Sequence, residues 1–552
     1  MIRAAGVVLV ATLASSLICC DARGGSGSDA ANTPASAEPG ARARDGAAEA
    51  KVSQASGSVA GDGPRIRIIA TNDLHGALDP SHTTKGTPVG GAEAMAASIQ
   101  RAERECRSPC VTILVDAGDM FQGTAQSNLQ HGRPVVELYN ALGYAAAAVG
   151  NHEFDWGLDT LRRRMSEARF AILGANVQYR NGRDVQWIPD DTLVTRGPYT
   201  IGIIGVIGPE TYESTMAANV ATLRFARPAP IVDSLTRALR SRGADVIVVL
   251  AHSGAFCKKN GTQACDGNVI SFARELRERV DAIVSGHTHS VVDFEIRGVP
   301  IVQAQSSGRA VAVVDLAPEA ASDGGRGELI AEHVYHVSSG ARASPAIEGI
   351  ISRADARVAK LVSRPVARLV TALPRQRDEE YPLGNLIADA QRWAGHADVA
   401  FENNGGIRAG LPAGTVTYGQ LFEVQPFANP LRRMDVNGAA LRAYLEALLR
   451  AGEPRTHVSG MAVRYDPGRR AGQRLVSVTM ADGAPLRDDA SYTVVLNEYM
   501  ATGRDGKILA RSATKDEQLG PTDLDAFVAY LESRPQPVRA PEGRRFSVIR
   551  GR

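Results

Sequence analysis

Residues Arg65–Gly76 read RIRIIATNDLHG, an apolar run that ends directly in a polar motif. The same arrangement occurs four more times in the first half of the chain. The further motifs, each just after an apolar strand-like run, are AGDMFQG at Ala117–Gly123, GNHEFD at Gly150–Asp155, AHSG at Ala251–Gly254 and SGHTHS at Ser285–Ser290. Folds that alternate strands and helices gather their ligand sites at the carboxyl ends of the strands. The five motifs therefore predict one shared site.

Helix-like segments separate many of these apolar runs, which predicts an α/β domain with helices packed on a central sheet. The strand candidates are Arg65–Ala70, Val111–Val115, Ala145–Val149, Ile201–Ile207, Val246–Leu250, Ala282–Val284, Ile301–Ala304 and Val311–Leu316. The helix candidates are Ala92–Glu103, Pro134–Leu142, Leu158–Ala168, Ile231–Arg242 and Val269–Val280. We place this catalytic domain at residues 64–340.

A second domain follows a break in the pattern near Ser338–Ser344. Pro345 is suited to open a helix, and we predict one over 345–361 that links the two domains. Residues 362–552 then mix helices and strands, which predicts an α+β domain. Its helix candidates are Asn385–Ala394 and Gly438–Ala451, and its strand candidates are Val399–Phe401, Arg433–Val436, Leu475–Met480 and Tyr492–Leu496.

The bulk composition is that of a soluble globular protein. The chain has 552 residues, of which 44% are hydrophobic and 22% charged, and more than one domain is expected at this length. Its formal net charge is +2, and its basic residues are scattered. This balance gives no electrostatic reason to expect a nucleic acid polymer or a membrane surface as a partner.

The N-terminus predicts export. Arg3 precedes the apolar stretch Ala4–Ile18, which is shorter than the ~20 residues of a membrane-spanning helix. We interpret residues 1–20 as a signal peptide that directs the protein to the periplasm or the cell exterior. Cys20 ends it in a setting that resembles a bacterial lipoprotein signal, so a lipid anchor at Cys20 and plain export both stay open. Residues 21–63 are rich in Gly, Ala, Ser and Pro and lack aromatic residues, which predicts a disordered linker.

The remaining four cysteines form two close pairs, Cys106 with Cys110 and Cys257 with Cys265. In an exported protein, an even number of cysteines at short spacing favours two local disulfides. A zinc site and buried free thiols are the alternatives.

The five motifs together supply Asp73, His75, Asp119, Asn151, His152, His252, His287 and His289. Side chains of these types bind divalent cations. Carboxylate, amide and imidazole donors suit Zn, Mn, Co or Fe, and they suit two such ions that share one carboxylate. Asp119 fits the shared position because it is short and lies at a turn beside Gly118. The donor set therefore predicts a two-metal site that hydrolyses a phosphate ester.

On these motifs, residues 66–345 resemble the calcineurin-like metallophosphoesterases. Together with its second half, the chain resembles the bacterial periplasmic 5'-nucleotidase and UDP-sugar hydrolase family, which includes animal ecto-5'-nucleotidase. The resemblance implies an α/β fold with an N-terminal β-sandwich flanked by helices, a linker helix, and a C-terminal α+β nucleotide-binding domain.

The resemblance also implies a role for each motif residue. His152 would not bind metal but would stabilise charge on the phosphoryl group or protonate the leaving group. Asp155 would orient His152, and a helix N-cap is the alternative role for Asp155. The ligand sets would be Asp73, His75, Asp119 and His289 for one metal ion, and Asp119, Asn151, His252 and His287 for the other.

The second domain carries three motifs that match the substrate site of the family, FENNGGIR, QPFAN and NEYMATGRDG. In relatives, aromatic residues at the positions of Phe427 and Tyr499 sandwich the base, and such stacking contributes ~1–3 kcal/mol per ring. The guanidinium group of Arg408 is suited to forked phosphate contacts. The substrate residues that the resemblance implies are Asn403, Gly406, Arg408, Phe427, Tyr499, Asp505 and Arg377.

The leading expectation is an exported monomeric enzyme that hydrolyses nucleoside 5'-monophosphates such as AMP by attack of a water activated at two metal ions. UDP-sugar hydrolysis and 2',3'-cyclic nucleotide phosphodiesterase activity are enzymatic alternatives. A nucleotide-binding surface protein and a sulfur-compound hydrolase are the others. By analogy with relatives, we expect the two domains to close about a hinge in the 345–361 helix.

Overall fold

A computed structural model describes residues 63–82, 87–257, 265–318, 327–337, 343–376 and 379–549 of the chain. The predicted signal peptide with Cys20, nearly all of the 21–63 linker, and Arg377 lie outside these residues. Among the described residues, we find no helix that combines the length and the apolar composition of a membrane span.

The first half of the described chain consists of short strands and helices, and every strand and helix predicted there is present. Its strands are β1 (Arg65–Thr71), β2 (Ser81–His82), β3 (Pro88–Val89), β4 (Cys110–Asp116), β5 (Ala146–Ala148), β6 (Ala171–Leu173), β7 (Val177–Tyr179), β8 (Asp191–Arg196), β9 (Tyr199–Ile207), β10 (Leu223–Phe225), β11 (Val246–His252), β12 (Ala255–Cys257), β13 (Cys265–Gly267), β14 (Ala282–Ser285), β15 (Val291–Ile296), β16 (Val299–Ala304), β17 (Ala310–Pro318) and β18 (Gly327–His336). Its helices are α1 (Ala92–Glu105), α2 (Ala125–Asn128), α3 (Arg133–Leu142), α4 (Gly157–Glu167), α5 (Pro228–Ser241) and α6 (Asn268–Glu275).

Two six-stranded sheets pack face to face in this half. One sheet has the strand order β18-β17-β1-β4-β5-β6, and the other has the order β15-β16-β14-β11-β9-β8. Alternate side chains such as Ile66 and Ile68 of β1 meet Ile203 and Val248 of the second sheet in a fully buried layer. Helices α1 and α3 cover the outer face of the first sheet, and α5 and α6 cover that of the second. The predicted β-sandwich flanked by helices is confirmed.

The strands that precede the five motifs run parallel within their sheets. In the first sheet, β1 pairs with β4 and β4 with β5. In the second sheet, β11 pairs with β14, and it carries the AHSG motif at its end. Because the carboxyl ends of parallel strands meet at one edge of a sheet, the motif residues collect at one end of the sandwich.

Helix α6 ends five residues before the predicted limit at Val280. The amide N–H groups of Arg277 and Glu278 donate to Asp233 Oδ1, at 3.0 and 2.9 Å. Asp233 belongs to the neighbouring helix α5, so a tertiary contact takes the donors that would otherwise continue α6.

Both predicted disulfides are present and are local. One joins Cys106 to Cys110. The other joins Cys257 of β12 to Cys265 of β13, two strands that pair with each other in antiparallel orientation.

The second half is a mixed α+β unit, as predicted. Its strands are β19 (Pro365–Leu369), β20 (Val399–Asn403), β21 (Gly414–Thr417), β22 (Pro430–Asn437), β23 (Thr456–Ser459), β24 (Met461–Tyr465), β25 (Leu475–Met480), β26 (Ser491–Asn497), β27 (Lys515–Thr522) and β28 (Phe546–Val548). Its helices are α7 (Pro345–Val362), α8 (Pro382–Ala394), α9 (Tyr418–Val424), α10 (Gly438–Leu448), α11 (Glu498–Thr502), α12 (Gly506–Ser512) and α13 (Asp523–Glu532). The main sheet has the order β23-β20-β26-β22-β27.

Helix α7 contacts both halves. Ile347 and Ile350 are buried in the same apolar cluster as α1 and α3 of the first half. Val362, at the other end of the helix, packs against the apolar core around α8 and α13. The domain boundary placed at this helix stays a prediction.

Candidate metal centre and substrate cleft

The motifs place most of the predicted metal ligands in one cluster. Three groups of side chains each offer ligand atoms that lie within 4.8 Å of one another. The groups are Asp73, His75 and His289; His75, Asp119 and His152; and Asp119, His252 and His287. Because His75 and Asp119 each belong to two groups, the three groups are continuous.

Asp119 lies at the middle of this cluster. Its Oδ2 atom is 3.1 Å from His252 Nε2 and 3.9 Å from His75 Nε2. Asn151 Oδ1 lies 3.1 Å from His252 Nε2 and 3.0 Å from His287 Nδ1, which adds an amide oxygen to the same side. Ligands that bind one cation at ~2.0–2.2 Å stand roughly 3–3.5 Å apart. The spacing of the donors therefore fits cations on both sides of Asp119.

Asp73, His75 and His289 form the opposite side of the cluster. His289 Nε2 lies 3.4 Å from Asp73 Oδ1 and 2.8 Å from His75 Nε2. Ring nitrogens and a carboxylate oxygen that converge at these distances suit a common cation.

Five of the seven candidate ligands have a left-handed backbone. They are Asp73, His75, Asp119, His287 and His289, with φ values from 53° to 76°. Residues other than glycine rarely adopt this conformation, and they keep it where the surrounding structure enforces it. The loops are therefore shaped around the cluster at a conformational cost, which no pattern in the sequence revealed.

Backbone carbonyl groups orient two of the imidazole rings. The Nδ1 atom of His75 lies 2.8 Å from the carbonyl oxygen of Gln122, and that of His252 lies 2.8 Å from the carbonyl oxygen of Ala117. A hydrogen on Nδ1 donated to a carbonyl leaves Nε2 facing the cluster with its lone pair. Burial and the neighbouring ring of His289 hold the pKa of His75 well below its usual value, which favours the neutral form that binds metal.

At the centre of the cluster, the carboxylate of Asp119 and the imidazole of His252 stabilise each other's charged forms. Burial opposes a charge on Asp119, but the imidazole groups of His252 and His152 outweigh it and hold the pKa of the Asp119 carboxyl well below its usual range. Burial alone would lower the pKa of His252, but the Asp119 carboxylate raises it to about 10. A cation can take the place of the proton on His252. In donor type, spacing and charge, the residues present therefore fit two divalent cations.

Glu153 is a buried residue of this site that the sequence reasoning missed. Its carboxylate accepts hydrogen bonds from the amides of Asp119 at 2.9 Å, Met120 at 2.8 Å and Gly150 at 2.6 Å. It thereby fastens the loop after β4 to the loop after β5. Burial and the nearby Asp119 raise the pKa of Glu153 to about 7.

Replacing Gly150 with alanine is expected to weaken metal binding roughly 10- to 100-fold, the range seen when groups that support metal ligands are changed. A Cβ atom at Gly150 would lie 2.2 Å from Asp119 Oδ1, so the carboxylate would have to move. To measure this, the metal is first removed with a chelator, and the affinity for added metal is then determined by calorimetry. A Cβ atom at Gly520 meets nothing within 4 Å, which makes Gly520→Ala the matched control. If Gly150→Ala bound metal with wild-type affinity, metal binding would not depend on the present position of the Asp119 carboxylate.

His152 and Asp155 form a hydrogen-bonded pair at the edge of the cluster. His152 Nδ1 lies 2.7 Å from Asp155 Oδ2, and His152 Nε2 lies 4.0 Å from Asp119 Oδ2. Burial would lower the pKa of His152, but the Asp155 and Asp119 carboxylates raise it. The N-cap of α4 is Trp156, so the alternative N-cap role of Asp155 is not observed. The placement suits an oriented proton donor, although His152 also lies within ligand distance of His75 and Asp119.

A cleft of about 740 Å³ joins the metal cluster to the second half of the chain. The metal half contributes Asp119, Asn151, His152, Asp155, His287 and His289 to its lining. The substrate-site predictions that line the cleft are Asn403, Gly406, Arg408, Phe427 and Tyr499. Cleft residues that the sequence reasoning did not single out include Arg375, Asn429, Arg455 and Phe256.

Two predicted substrate residues are not placed in the cleft. Asp505 is absent from its lining, and its carboxylate pairs with Arg450 Nη2 at 2.9 Å. Arg377 lies outside the described residues, and the arginine of that segment that lines the cleft is Arg375.

The two halves touch beside the cluster. The carbonyl oxygen of Pro426 accepts hydrogen bonds from Asn128 Nδ2 at 2.8 Å and from Gln122 Nε2 at 3.2 Å. The neighbouring ring of Phe427 lies 5.5 Å from that of His152, and the guanidinium carbon of Arg408 lies 5.7 Å from the centre of the Phe427 ring. The candidate substrate motif around Phe427 therefore lies against the cluster of candidate metal ligands.

A β-sandwich whose strand ends gather a two-cation donor set of this kind defines a metallophosphoesterase. Residues 66–291 match the calcineurin-like phosphoesterase family, and residues 358–511 match the family described as 5'-nucleotidase, C-terminal domain. Calcineurin-like metallophosphoesterases use two divalent metals, and together the two domains indicate a phosphoric ester hydrolase.

Individual relatives agree with this assignment. The chain is 30% identical to the endonuclease YhcR of Bacillus subtilis (strain 168) over 86% of its own length, but it spans 40% of that protein. It is 26% identical to the snake venom 5'-nucleotidase of Naja atra, over 87% of this chain and 98% of that protein. The crystal structure of a 5'-nucleotidase precursor from Thermus thermophilus superposes with a TM-score of 0.75 and 29% identity, over 88% of this chain and 100% of that one. The chain therefore combines a calcineurin-like phosphoesterase domain with a 5'-nucleotidase C-terminal domain.

Proposed function

We propose that this protein hydrolyses nucleoside 5'-monophosphates such as AMP to nucleoside and phosphate. The observation that carries the proposal is the single cleft in which metal-ligand candidates such as Asn151 and His289 face Arg408 and Tyr499. A metal pair alone serves many phosphate esters. A cleft that adds an arginine and aromatic rings suits a nucleotide, because these groups recognise its phosphate and its base.

The proposed mechanism assigns each step to a residue of the cleft. Asp73, His75, Asp119 and His289 would hold one divalent cation, and Asp119, Asn151, His252 and His287 would hold the other. Such a pair would lower the pKa of a water molecule and stabilise negative charge on the phosphoryl group. Arg408 donates hydrogen bonds to the phosphate. His152, held by Asp155, presents Nε2 to the phosphoryl group and either stabilises its charge or gives a proton to the leaving 5'-oxygen.

Pyrophosphate esters such as UDP-sugars are a second candidate substrate class. Three arginines, Arg375, Arg408 and Arg455, line the cleft in addition to the metal cluster. This is more positive charge than one phosphate group requires, and a second phosphate could use it.

A substrate panel tests the proposal. The purified protein is stripped of metal, reloaded with Mn or Zn, and assayed with AMP, UDP-glucose, a 2',3'-cyclic nucleotide and glycerol phosphate. We expect kcat/KM to be highest for AMP and lowest for glycerol phosphate, which lacks a base. Equal kcat/KM for AMP and glycerol phosphate would refute the nucleotide assignment.

Replacing Tyr499 with alanine is expected to raise KM for AMP roughly 5- to 150-fold, which is the loss of ~1–3 kcal/mol of stacking. The values of kcat and KM for glycerol phosphate should stay unchanged, because that ester offers no ring. Tyr499→Phe keeps the ring and is the matched control. If Tyr499→Ala affected both esters equally, Tyr499 would not be a base contact.

We also propose that the protein is exported. The N-terminal sequence supports this, and so do the two disulfides, because such bonds persist in oxidising compartments. A lipid anchor at Cys20 remains a separate prediction, and mass spectrometry of the mature N-terminus would decide it.

A further inference from the structure

A carboxyl group that the proposed mechanism does not use lies directly behind the substrate motif of the second half. Glu402 is the residue before Asn403 on β20, and it is 0% exposed. Its Oε2 atom accepts hydrogen bonds from Gln391 Nε2 at 2.5 Å and from Asn497 Nδ2 at 3.1 Å. Among the described residues, no arginine, lysine or histidine forms an ion pair with it. Glu402 is therefore held by amide groups. Among the described residues, no positive charge would pair with its carboxylate if it ionised.

One of these amides connects Glu402 to both parts of the substrate site. Asn497 Nδ2 also lies 3.1 Å from Asn403 Oδ1, in the substrate motif. Asn497 Oδ1 accepts a hydrogen bond from the amide of Met500 at 2.8 Å, so Asn497 is the N-cap of α11. Helix α11 carries Tyr499. The side chain of Glu402 thus reaches Asn403 and the helix of Tyr499 through one shared partner.

The other carboxyl oxygen of Glu402 supports the glycine turn. A Cβ atom at Gly406 would lie 2.4 Å from Glu402 Oε1, so this oxygen fills the space beneath the turn. The same oxygen has no hydrogen-bond partner among the described residues. Glu402 therefore shapes the turn by packing as well as by hydrogen bonding.

The surroundings of Glu402 favour its neutral form. Burial and the nearby carboxyl of Asp523 raise the pKa of Glu402 to about 8. Burial likewise raises the pKa of Asp523, at the start of α13, to about 7. His457 lies opposite Glu402 on β23, and burial and Arg545 lower the pKa of His457 to about 3. Tyr381, the residue before α8, also interacts with Glu402, and burial raises the pKa of Tyr381.

We propose that Glu402 is a positioning residue for the nucleotide: as a neutral acid, it fixes the turn of Asn403 and Gly406 relative to the helix that carries Tyr499. The proposal rests on the proposed function, because it concerns how the same cleft recognises its substrate. Ionisation of Glu402 places an uncompensated charge beneath the turn, so nucleotide binding weakens as the acid ionises.

The test compares Glu402→Gln and Glu402→Ala with the wild type from pH 6 to pH 9.5. Glutamine keeps the shape of the neutral acid and its acceptor oxygen. We expect the wild-type KM for AMP to rise above pH 8. We expect Glu402→Gln to match the wild-type KM at pH 6.5 and to show no such rise. Glu402→Ala leaves the amides of Gln391 and Asn497 without their acceptor and should raise KM for AMP to roughly ten times the wild-type value at pH 6.5, with no further rise above pH 8. The rise in KM should be smaller for glycerol phosphate, because that ester offers no base to Tyr499.

Unfolding by urea supplies a readout that does not depend on activity. Folding raises the pKa of Glu402 above its value in the unfolded chain, so its contribution to stability is full at low pH and is lost as the pH rises through about 8. The pKa of Asp523 is also raised, to about 7, so its ionisation lowers the stability of both the wild type and Glu402→Gln as the pH rises through about 7. We therefore expect the urea midpoint to fall less between pH 6 and pH 9 in Glu402→Gln than in the wild type.

The outcomes separate this proposal from the proposed function. A wild type without preference for AMP over glycerol phosphate would overturn the proposed function, whatever the variants do. A wild type that prefers AMP, together with a Glu402→Gln variant that keeps the wild-type pH dependence of KM and stability, would overturn only the role of Glu402. Equal losses for both esters in Glu402→Ala would also overturn it. Should Glu402→Ala not fold, the Glu402→Gln comparison still decides.

Discussion

An Asp119→Ala variant is expected to lose stoichiometric metal and to lower kcat for AMP by roughly 10³-fold or more, since bound cations supply several kcal/mol of charge stabilisation. Asp119 Oδ2 is the atom that lies within 4.0 Å of His252, His75 and His152. Without it, the two sides of the cluster share no anionic ligand. Two measurements check this: the metal content of the reloaded protein by mass spectrometry, and kcat with AMP as the substrate.

Asp482→Ala is the matched control for this change. Asp482 is an exposed aspartate in a turn of the second half, so its variant should keep wild-type metal content and activity. If Asp119→Ala retained two ions per chain after the same reloading, Asp119 would not be the shared ligand. The assignment of the two ligand sets would then have to be redrawn.

The second large effect is expected from His152→Ala, which should lower kcat roughly 10²–10⁴-fold, the usual contribution of a general acid or base. Metal content should stay at the wild-type level, because the predicted ligands do not include His152. The ring is buried, and its Nδ1 atom is held by Asp155 at 2.7 Å, so its orientation is fixed before substrate binds. Metal analysis and kcat of the same preparation check both parts.

His396→Ala controls for the loss of a histidine, since His396 is exposed and lies more than a hundred residues after the last of the five motifs that carry the candidate metal ligands. A His152→Ala variant that loses metal in parallel with activity would make His152 a ligand. Such a result would have a geometric explanation, because the ligand atoms of His152, His75 and Asp119 lie within 4.8 Å of one another.

The strands and helices of the sandwich could be predicted because their signals are local. Apolar runs such as Arg65–Thr71 are buried on both faces in the middle of a sheet, so the sequence shows them directly. The end of α6 could not be predicted, because Asp233 takes the amide groups of Arg277 and Glu278 from another helix.

The lining of the candidate substrate cleft was anticipated less completely than the cluster of candidate metal ligands. The motif around Asn403 and Arg408 lines the cleft, but Asp505 pairs with Arg450, and Arg375 was not singled out. A charged side chain can turn toward the substrate or toward a neighbour of opposite charge. That choice depends on which groups the fold brings near, so a matching position in the sequence does not fix it.

The sequence by itself determined the chemistry of the donors and their place at strand ends, because residue type and the order of strands are properties of the chain. Tertiary structure alone decided which donors meet. Asp73 and the amide of His287 are 214 residues apart in sequence and form a hydrogen bond of 3.0 Å only because two separate sheets pack face to face. The left-handed backbone of the ligands and the burial of Glu402 have the same origin, since contacts between distant segments impose both.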